Sequence, residues 1–345
     1  MQNKPRSSRV TLREVALSAD VSEVTASRAL RNPELVSERL RDRVLAAARE
    51  LAYVPNQLAS ALASARTGRV AIIVPSLTNG VFDDYLRAAY DIFTPAGFQV
   101  VILNSNYVPG FEERAIETAL GQYPEAIVLA GIDQTARARR LLSQAGIPVV
   151  QTMEIADDPI DINIGLSHAE AGHAAARLLF GLGHFRVAHM ASPLDSRARE
   201  RVRGYLRAVQ EFDAEPIVAT DDSPSNVAIG GDLLVEILRR EPATSAIFCG
   251  NDNLALGALF ECQRRGVRVP EDMSIIGFND LEFAKSAFPA LSTIATPRYE
   301  MARQAAEIIL EITRGSGKRP RKRRIDLGFE VIERASTRRI AGASK

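Results

Sequence analysis

Five side chains near the N-terminus have the types and spacing needed to contact nucleic acid. They are Glu23, Val24, Thr25, Ser27 and Arg28, and a helix beginning at Ser22 would carry them on its outer face. Each is short or polar, so such a helix could approach base edges and phosphates closely. The pattern predicts a helix that lies in the major groove of DNA.

Two short helices and a tight turn would position that face. Thr11 can cap the first helix, because Glu14 stands three residues later as a capping box requires. The turn follows at 20–22, and the second helix would run to about residue 30. Apolar residues can close over one another, namely Leu12, Val15 and Ala16 from the first helix and Val21, Ala26, Ala29 and Leu30 from the second. On this pattern alone, an ordinary helical hairpin at the edge of a larger core is the alternative to a DNA-binding helix-turn-helix.

A third helix completes the unit. Ser37 can cap it, and apolar residues recur at three- and four-residue steps at Leu40, Val44, Ala48 and Leu51. The run 10–63 resembles the DNA-binding head of the lactose-repressor (LacI/GalR) family. The matching residues are Val10-Thr11-Leu12, Glu14-Val15-Ala16, Val21-Ser22, Thr25, Ser27-Arg28, Tyr53-Val54-Pro55-Asn56, Ala59 and Leu62. Asp20 stands where the family usually has Gly, and we expect the turn to survive because Asp tolerates left-handed backbone better than most residues.

The resemblance implies a role for each part of the head. The five residues of the second helix would face the major groove of a near-palindromic operator. A hinge helix would lie in the minor groove at the operator centre, and its contact residues would be Asn56, Ala59, Ser60 and Leu62. Pro55 can start such a helix, and Leu62 from two symmetry-related chains could wedge between base steps and kink the duplex. Leu62 could equally be a core residue.

Charge is divided unevenly along the chain. Residues 1–66 hold eleven Lys and Arg against seven Asp and Glu, a net charge of +4, and the remainder holds 32 against 35, a net charge of −3. The whole-chain value of +1 therefore conceals a basic head on a mildly acidic body. A basic head can be steered onto phosphates, with an affinity that depends on salt.

Short apolar runs rich in β-branched residues recur after a polar linker at 66–68. They alternate with helix-length amphipathic stretches such as 83–96 and 112–120. The predicted strands form two cycles, 70–74, 100–103, 126–129, 148–150 and 162–164, then 187–190, 217–218, 246–249 and 274–277. This alternation predicts parallel sheets covered by helices on both faces. The expected fold is an all-α helix-turn-helix head with a hinge helix, followed by an α/β core of two doubly wound lobes separated by a cleft.

The family resemblance covers nearly the whole chain. In the core it is carried by Asn251-Asp252, Leu254-Ala255, Gly257, Val269-Pro270, Asp272, Gly277-Phe278-Asn279-Asp280, Pro289 and Leu291. It implies a core like a periplasmic sugar-binding protein, in which the chain crosses between lobes three times. The expected domains are the head at 1–54, the hinge and linker at 55–67, and an effector-binding and dimerisation core at 68–345. The first lobe would comprise about 68–165 and 296–322, and the second about 166–295 and 323–345.

Polar residues follow the predicted strands, which is where ligands bind in open α/β lobes. Such residues also satisfy turns, and an Arg in a basic stretch is usually on a solvated helix face. Arg201 nevertheless matches the arginine that grips the effector in family relatives. The resemblance implies an effector site made of Arg201, Asn251 and Asn279 from the second lobe and Ser76, Asn79, Phe82 and Glu154 from the first.

Three segments, 248–264, 296–298 and 326–329, resemble the gluconate-operon repressors within the family. The implied effector is gluconate or a close sugar acid, free or phosphorylated, which would induce release from the operator. Asn279 replaces the Asp of many sugar-binding relatives and so removes repulsion against an acid, and Arg201 can pair a carboxylate. Glu154 argues against an acid, so charge alone is indecisive. A neutral sugar, or a purine acting as co-repressor, is the alternative effector.

Other classes of protein have recognisable signatures that this sequence lacks. An enzyme on this fold would show a nucleophile elbow, a dinucleotide fingerprint or a phosphate loop. A sugar receptor or membrane protein would show an export signal or about twenty consecutive apolar residues. We expect a cytoplasmic protein with reduced thiols and with no cofactor or metal, because the cysteines and histidines show no metal spacing. These residues are Cys249, Cys262, His168, His173, His184 and His189, the histidines being expected to be structural or solvent-facing.

The C-terminal region favours a simple assembly. The basic run 318–324 is expected to be a solvated loop rather than an accessory DNA contact. The tail 334–345 has no leucine heptads, so a homodimer is expected rather than a coiled-coil tetramer. Two cores would bring their heads to adjacent half-sites, and effector binding would change the spacing of the hinges.

Overall fold

The computed structural model describes residues 10–55, 66–315 and 323–340. The chain divides into two compact units, one ending at Thr67 and the other beginning at Gly68. The predicted hinge contacts Asn56, Ala59, Ser60 and Leu62 lie outside the described residues, as do positions 318–322 of the basic run 318–324. The last two residues of that run, Arg323 and Arg324, belong to a strand rather than to the expected solvated loop.

Three helices form the first unit, α1 (Leu12–Ser18), α2 (Glu23–Arg31) and α3 (Glu38–Glu50). A short 3-10 turn, Pro33–Leu35, joins the second to the third. Small and β-branched residues from all three helices make the buried core, including Val15, Ala16, Ala26, Ala29 and Val44. The predicted three-helix unit and its apolar faces are confirmed.

The ends of the helices are held by the predicted side chains, with one exception. The Thr11 hydroxyl accepts from the Glu14 amide at 3.3 Å, while a Glu14 carboxylate oxygen accepts from the Thr11 amide at 2.6 Å. Ser22 accepts from the Thr25 amide at 3.1 Å and so caps α2. Ser37 occupies the N-cap position of α3, but its side chain makes no capping hydrogen bond.

The turn between α1 and α2 adopts the left-handed conformation expected of it. Asp20 has a φ of 48°, which Asp tolerates better than most residues. Arg43 on α3 donates to the carbonyls of Ala19 and Asp20, the latter at 2.9 Å. Since these carbonyls follow the end of α1 and lack helical partners, Arg43 ties the turn to the third helix.

The first lobe of the second unit contains a six-stranded parallel sheet. Its strands are β1 (Arg69–Val74), β2 (Gln99–Asn104), β3 (Ala126–Leu129), β4 (Val149–Glu154), β5 (Ile162–Leu166) and β11 (Arg323–Asp326). They lie in the order β11-β5-β4-β3-β1-β2. Its helices are α4 (Asp83–Phe93), α5 (Pro109–Gly121), α6 (Ala136–Gln144) and α11 (Arg298–Thr313). Ile72 and Ile73 of β1 enter different buried clusters, so apolar layers cover both faces of the sheet.

The second lobe contains a four-stranded parallel sheet. Its strands are β6 (Val187–Ala191), β7 (Ile217–Thr220), β8 (Ala246–Cys249) and β9 (Ser274–Ile276). They lie in the order β7-β6-β8-β9. Its helices are α7 (His168–Gly181), α8 (Ser196–Glu211), α9 (Val227–Arg240) and α10 (Asp252–Arg265). The predicted two-lobed α/β core is confirmed.

The chain passes between the lobes three times. The first passage follows β5, and the others use an antiparallel pair, β10 (Thr293–Ala295) and β12 (Glu330–Ile332). Helix α11 then packs on α4 and the first sheet, as the family resemblance implied. The expected passage at 322/323 is too early, because Arg323–Asp326 pairs with β5 in the first sheet and the chain leaves that lobe only afterwards. This short pairing segment carries charged side chains and so lacks the apolar signal of a strand.

Two glycines let α7 and α8 pack unusually closely. A Cβ on Gly204 would lie 2.2 Å from the Ala169 carbonyl oxygen, and one on Gly172 would lie 2.6 Å from the Arg201 carbonyl oxygen. Both neighbours are backbone atoms, so a larger residue would force the helices apart. The close approach brings Arg201 of α8 against the start of α7. In the described ranges, no helix is long and apolar enough to cross a membrane.

Candidate functional site

A cavity lies between the two lobes at the carboxyl ends of their strands. Of the seven residues predicted to bind an effector, five line it, namely Asn79, Phe82, Arg201, Asn251 and Asn279. Ser76 and Glu154 are not among the lining residues. Side chains that were not predicted also line the cavity, including Tyr107, His168, Ser192, Asp195, Arg197, Ser225, Thr296 and Arg298.

Ser76 and Glu154 make local and interlobe contacts instead. The Ser76 hydroxyl accepts from the amides of Thr78 and Asn79, each at 3.2 Å, and so shapes the loop that presents Asn79. Glu154, at the end of β4, is buried and accepts a hydrogen bond from the Ser196 hydroxyl at the start of α8. The Ser196 amide donates to Asp133 of the first lobe at 2.7 Å. Ser196 therefore joins the two lobes at one edge of the cavity.

Arg201 makes a single hydrogen bond within the cavity. Its Nη1 donates at 3.0 Å to Nδ1 of His168, whose Nε2 lies 3.1 Å from the Met153 carbonyl. A guanidinium only donates, so His168 accepts through Nδ1 and carries its proton on Nε2. Burial, followed by the charges of Arg201 and Arg197, holds the His168 pKa well below its usual value. The partner of Arg201 is therefore a neutral imidazole.

The remaining donors of Arg201 make no hydrogen bond to the described residues. Its Nε is buried and has no hydrogen-bond acceptor among the described residues. The guanidinium carbon lies 4.7 Å from the centre of the Phe278 ring, which fixes the orientation of the side chain. Burial is the main reason that the pKa of Arg201 is lowered to about 10. A half-buried cation whose one hydrogen-bond partner is neutral gains from a direct charge-assisted bond to an anion.

A strained loop presents Asn279 to the cavity. Asn279 and Asp280 have φ values of 110° and 54°, a region that non-glycine residues seldom occupy. The loop is restrained from three sides, because the buried Asp252 carboxylate accepts from the Leu281 amide at 2.7 Å, Arg298 donates to the Asn279 carbonyl, and Arg334 pairs with Asp280 at 2.7 Å. The Asn279 side-chain amide makes no hydrogen bond to the described chain and remains available to a ligand.

The other two predicted amides are partly engaged. Asn251 caps α10 by accepting from the Leu254 amide at 3.0 Å, and it donates to Ser225 at 2.7 Å. Asn79 accepts from the Val81 amide at 3.2 Å and approaches the Tyr107 hydroxyl at 3.4 Å. These bonds orient both amides toward the cavity, where each retains hydrogen-bonding capacity.

Sequence reasoning did not assign His168, Asp195 and Arg197 to the effector site. His168 opens α7 just after β5, and the other two lie at the start of α8, after β6. His168 was expected to be structural or solvent-facing. The helical spacing of Arg197 and Arg201, four residues apart, was the available signal that both lie on one face.

The face of α2 that was predicted to contact DNA is open to solvent. Glu23, Val24 and Arg28 are exposed on α2, while Thr25 and Ser27 are half-buried beside them. Val24 has 58% of its surface exposed although it is apolar, so it contributes little to the three-helix core. An exposed apolar side chain next to hydroxyl and guanidinium groups suits a surface that contacts base edges.

Glu154 gives the interlobe contact a measurable pH dependence. Burial raises the Glu154 pKa from 4.5 to about 7, so its stabilising contribution is complete below about pH 4.5 and is lost as the pH rises through 7. Glu154→Gln removes this loss. We expect the free energy of unfolding of the variant, relative to the parent, to rise by about 1–3 kcal/mol between pH 5 and pH 8.

Urea denaturation at both pH values measures this difference. Other buried titratable groups are common to the two proteins and cancel in the comparison. Glu236→Gln, on an exposed helix position beside Arg240, is the matched control and should differ from the parent equally at both pH values. A pH-independent effect of Glu154→Gln would contradict the assignment.

Both units of the chain match known protein families. Residues 11–56 match the model of bacterial regulatory proteins of the lacI family, and residues 170–337 match that of a periplasmic binding protein-like domain. The HTH-type transcriptional regulator GntR of Pseudomonas aeruginosa is 42% identical over 340 residues, which cover 97% of this chain and 98% of that protein.

Solved structures agree with this result. A LacI-family transcriptional regulator from Silicibacter pomeroyi has a TM-score of 0.89 at 34% identity, covering 96% of this chain and all of that one. The lac repressor dimer bound to operator and the anti-inducer ONPF has a TM-score of 0.81 at 25% identity, with coverage of 96% and 100%. The relatives named here are transcriptional regulators, not enzymes. With its helix-turn-helix head and its two-lobed core, the chain belongs to the LacI family of bacterial transcriptional regulators.

Proposed function

We propose that this chain is an operator-binding repressor whose affinity for DNA is lowered by a sugar acid, gluconate or a close relative. It acts as a homodimer in the cytoplasm on a near-palindromic operator. The observation that carries the acid effector is the charge of the cavity. Arg201 is a half-buried cation whose Nε is buried without an acceptor and whose one hydrogen-bond partner in the described chain is the neutral His168, so a ligand carboxylate can supply a directly bonded counter-charge.

The polar residues around Arg201 suit the rest of a sugar acid. Asn79 and Asn251 are oriented amides, and the Asn279 amide is unengaged. An amide both donates and accepts, which matches a chain of hydroxyl groups. Asn279 also brings no negative charge toward the ligand, and Glu154 is turned to Ser196 rather than into the cavity. Glu154, the residue that argued against an acid in the sequence, therefore does not bring its carboxylate to the cavity lining.

In the head, we propose that Glu23, Val24, Thr25, Ser27 and Arg28 lie in the major groove. Their exposure on α2 and the basic charge of the head support this assignment. Asn56, Ala59, Ser60 and Leu62 are proposed to contact the minor groove through a hinge helix. A helix this short is marginal in water, so its order depends on DNA and on the spacing of the two cores.

Effector binding controls DNA through the lobes. A ligand that contacts both lobes favours one arrangement of them, and the hinge segment is joined directly to the first lobe, which begins at Gly68. Such coupling between sites amounts to about 1–3 kcal/mol, enough to lower operator affinity by roughly 5- to 150-fold. Release of the operator relieves repression.

A thermal-shift screen tests the effector. The full chain is heated with sugar acids, their phosphates, neutral sugars and purines, because a ligand that binds only the folded state raises its melting temperature. We expect gluconate or a related acid to raise it by several degrees in a concentration-dependent manner and to lower operator affinity in parallel. A response to a purine or a neutral sugar, with none to any acid, would assign the effector to that class instead.

A further inference from the structure

Two arginines lie one turn apart on the cavity face of α8. Arg197 and Arg201 are separated by four residues, and both line the cavity. Like charges at this spacing repel each other. Burial is the main reason for the lowered pKa of Arg201, and the charge of Arg197 lowers that pKa further while Asp195 opposes the change. Arg197 is only 8% exposed, so water screens this repulsion weakly.

One carboxylate of the cavity lining, Asp195, lies close to these two arginines in the sequence and accepts hydrogen bonds from Arg197. Asp195 accepts from Arg197 Nε at 2.9 Å and from Nη2 through the same oxygen, while its other oxygen accepts from the Ala198 amide at 2.9 Å and caps α8. Nη1 of Arg197 has no acceptor among the described residues. The guanidinium carbon lies 6.0 Å from the centre of the Phe82 ring, which belongs to the first lobe. Asp195 thus holds Arg197 with a free donor between the lobes.

The other charged groups around the cavity do not restore the balance. Arg298 is engaged by the Asn279 and Asp280 carbonyls and by Asp84 at 3.3 Å. His168 is neutral, and Glu154 accepts from Ser196 outside the cavity lining. Arg197 and Arg201 against Asp195 therefore leave one positive charge that no described residue of the lining compensates.

We propose that Arg197 determines specificity for an acid, its Nη1 and the free donors of Arg201 together binding the single carboxylate of the effector, with Asp195 as the positioning residue. The inference rests on the proposed function and names the group that separates an acid from an otherwise identical neutral ligand. Without Arg197, a ligand carboxylate would receive charge-assisted hydrogen bonds from Arg201 only. The second guanidinium adds a charge-assisted bond and removes the repulsion along α8.

The test compares gluconate with gluconamide, its neutral amide of nearly the same shape. Affinities for both are measured by calorimetry on the full chain for the parent and for Arg197→Gln. We expect the variant to bind gluconate about 10- to 100-fold more weakly, as loss of one charge-assisted hydrogen bond implies, while gluconamide binding changes by less than about threefold. Arg203→Gln is the matched control, because Arg203 lies on α8, is exposed and pairs with Glu200.

The outcomes are distinct. Equal weakening of acid and amide would show a general packing role for Arg197, and an unchanged preference for gluconate would also overturn the proposal. If Arg197→Gln leaves Asp195 unpaired and the protein unstable, the double variant Asp195→Asn with Arg197→Gln removes both charges and must show the same selective loss. A parent that binds no sugar acid overturns the proposed effector as well, whereas a parent that binds acids with Arg197→Gln unaffected overturns the role of Arg197 alone.

Discussion

Deletion of residues 1–67 is expected to abolish operator binding while effector affinity changes by less than about twofold. The head and the core are separate compact units, and the deleted segment holds every residue proposed to contact base edges. Specific binding of DNA typically exceeds non-specific binding by about 10³-fold or more, so at least that loss is expected. The core retains Arg201, Asn251 and Asn279 and therefore retains the proposed effector site.

Fluorescence anisotropy measures this loss on a duplex that the full-length chain selects from fragmented genomic DNA. Calorimetric titration of the effector into both proteins is the accompanying control. The salt dependence of binding by the full-length chain should be steep, since the head carries the positive charge. Equal operator binding by the truncated chain would disprove the modular arrangement.

Arg201→Ala is expected to remove the response to the effector. Truncation of one member of a buried charge pair costs about 2–5 kcal/mol, so effector affinity should fall at least about 30-fold. Operator affinity without effector should stay within about threefold of the parent, because Arg201 lies in the core and the residues proposed to contact DNA lie in the head and hinge. The two effects together would make the variant a repressor that the effector no longer releases.

Operator binding with increasing effector concentration provides the measurement. Arg207→Ala is the matched control on the same helix, since Arg207 pairs with Glu170 at the surface through two contacts of 2.7 Å. It should respond to the effector as the parent does. A normal response in Arg201→Ala would place the effector elsewhere in the core, and loss of operator binding in the absence of effector would show that the substitution disturbs the fold.

Local patterns in the chain determined the head and the plan of the core. The capping box of Thr11 and Glu14, the left-handed Asp20 and the apolar spacing of three helices involve residues within one or two turns of each other. The alternation of buried runs with amphipathic stretches likewise predicted two parallel sheets. These features were predictable because hydrogen-bond geometry and hydrophobic periodicity act over short distances along the chain.

The strand that carries charged side chains could not be predicted from the hydrophobic pattern. Arg323–Asp326 pairs with β5 although it shows no apolar run, because edge pairing needs only backbone hydrogen bonds. The last passage between lobes therefore falls later than the sequence indicated. Only some of the predicted effector residues line the cavity. The loops after the strands place Asn79, Asn251 and Asn279 at the cavity, whereas Glu154 accepts a hydrogen bond from Ser196 and does not line the cavity.

A basic three-helix head followed by a two-lobed core could be predicted from the amino-acid order, because short-range patterns encode helices, strands and their buried faces. The chemistry of the cavity became visible only in the folded chain. His168 becomes the neutral partner of Arg201, and Arg197 is held by Asp195, when α7 and α8 pack closely and face the first lobe. Charge balance in a buried site depends on which groups meet across distant segments, and no local pattern records that.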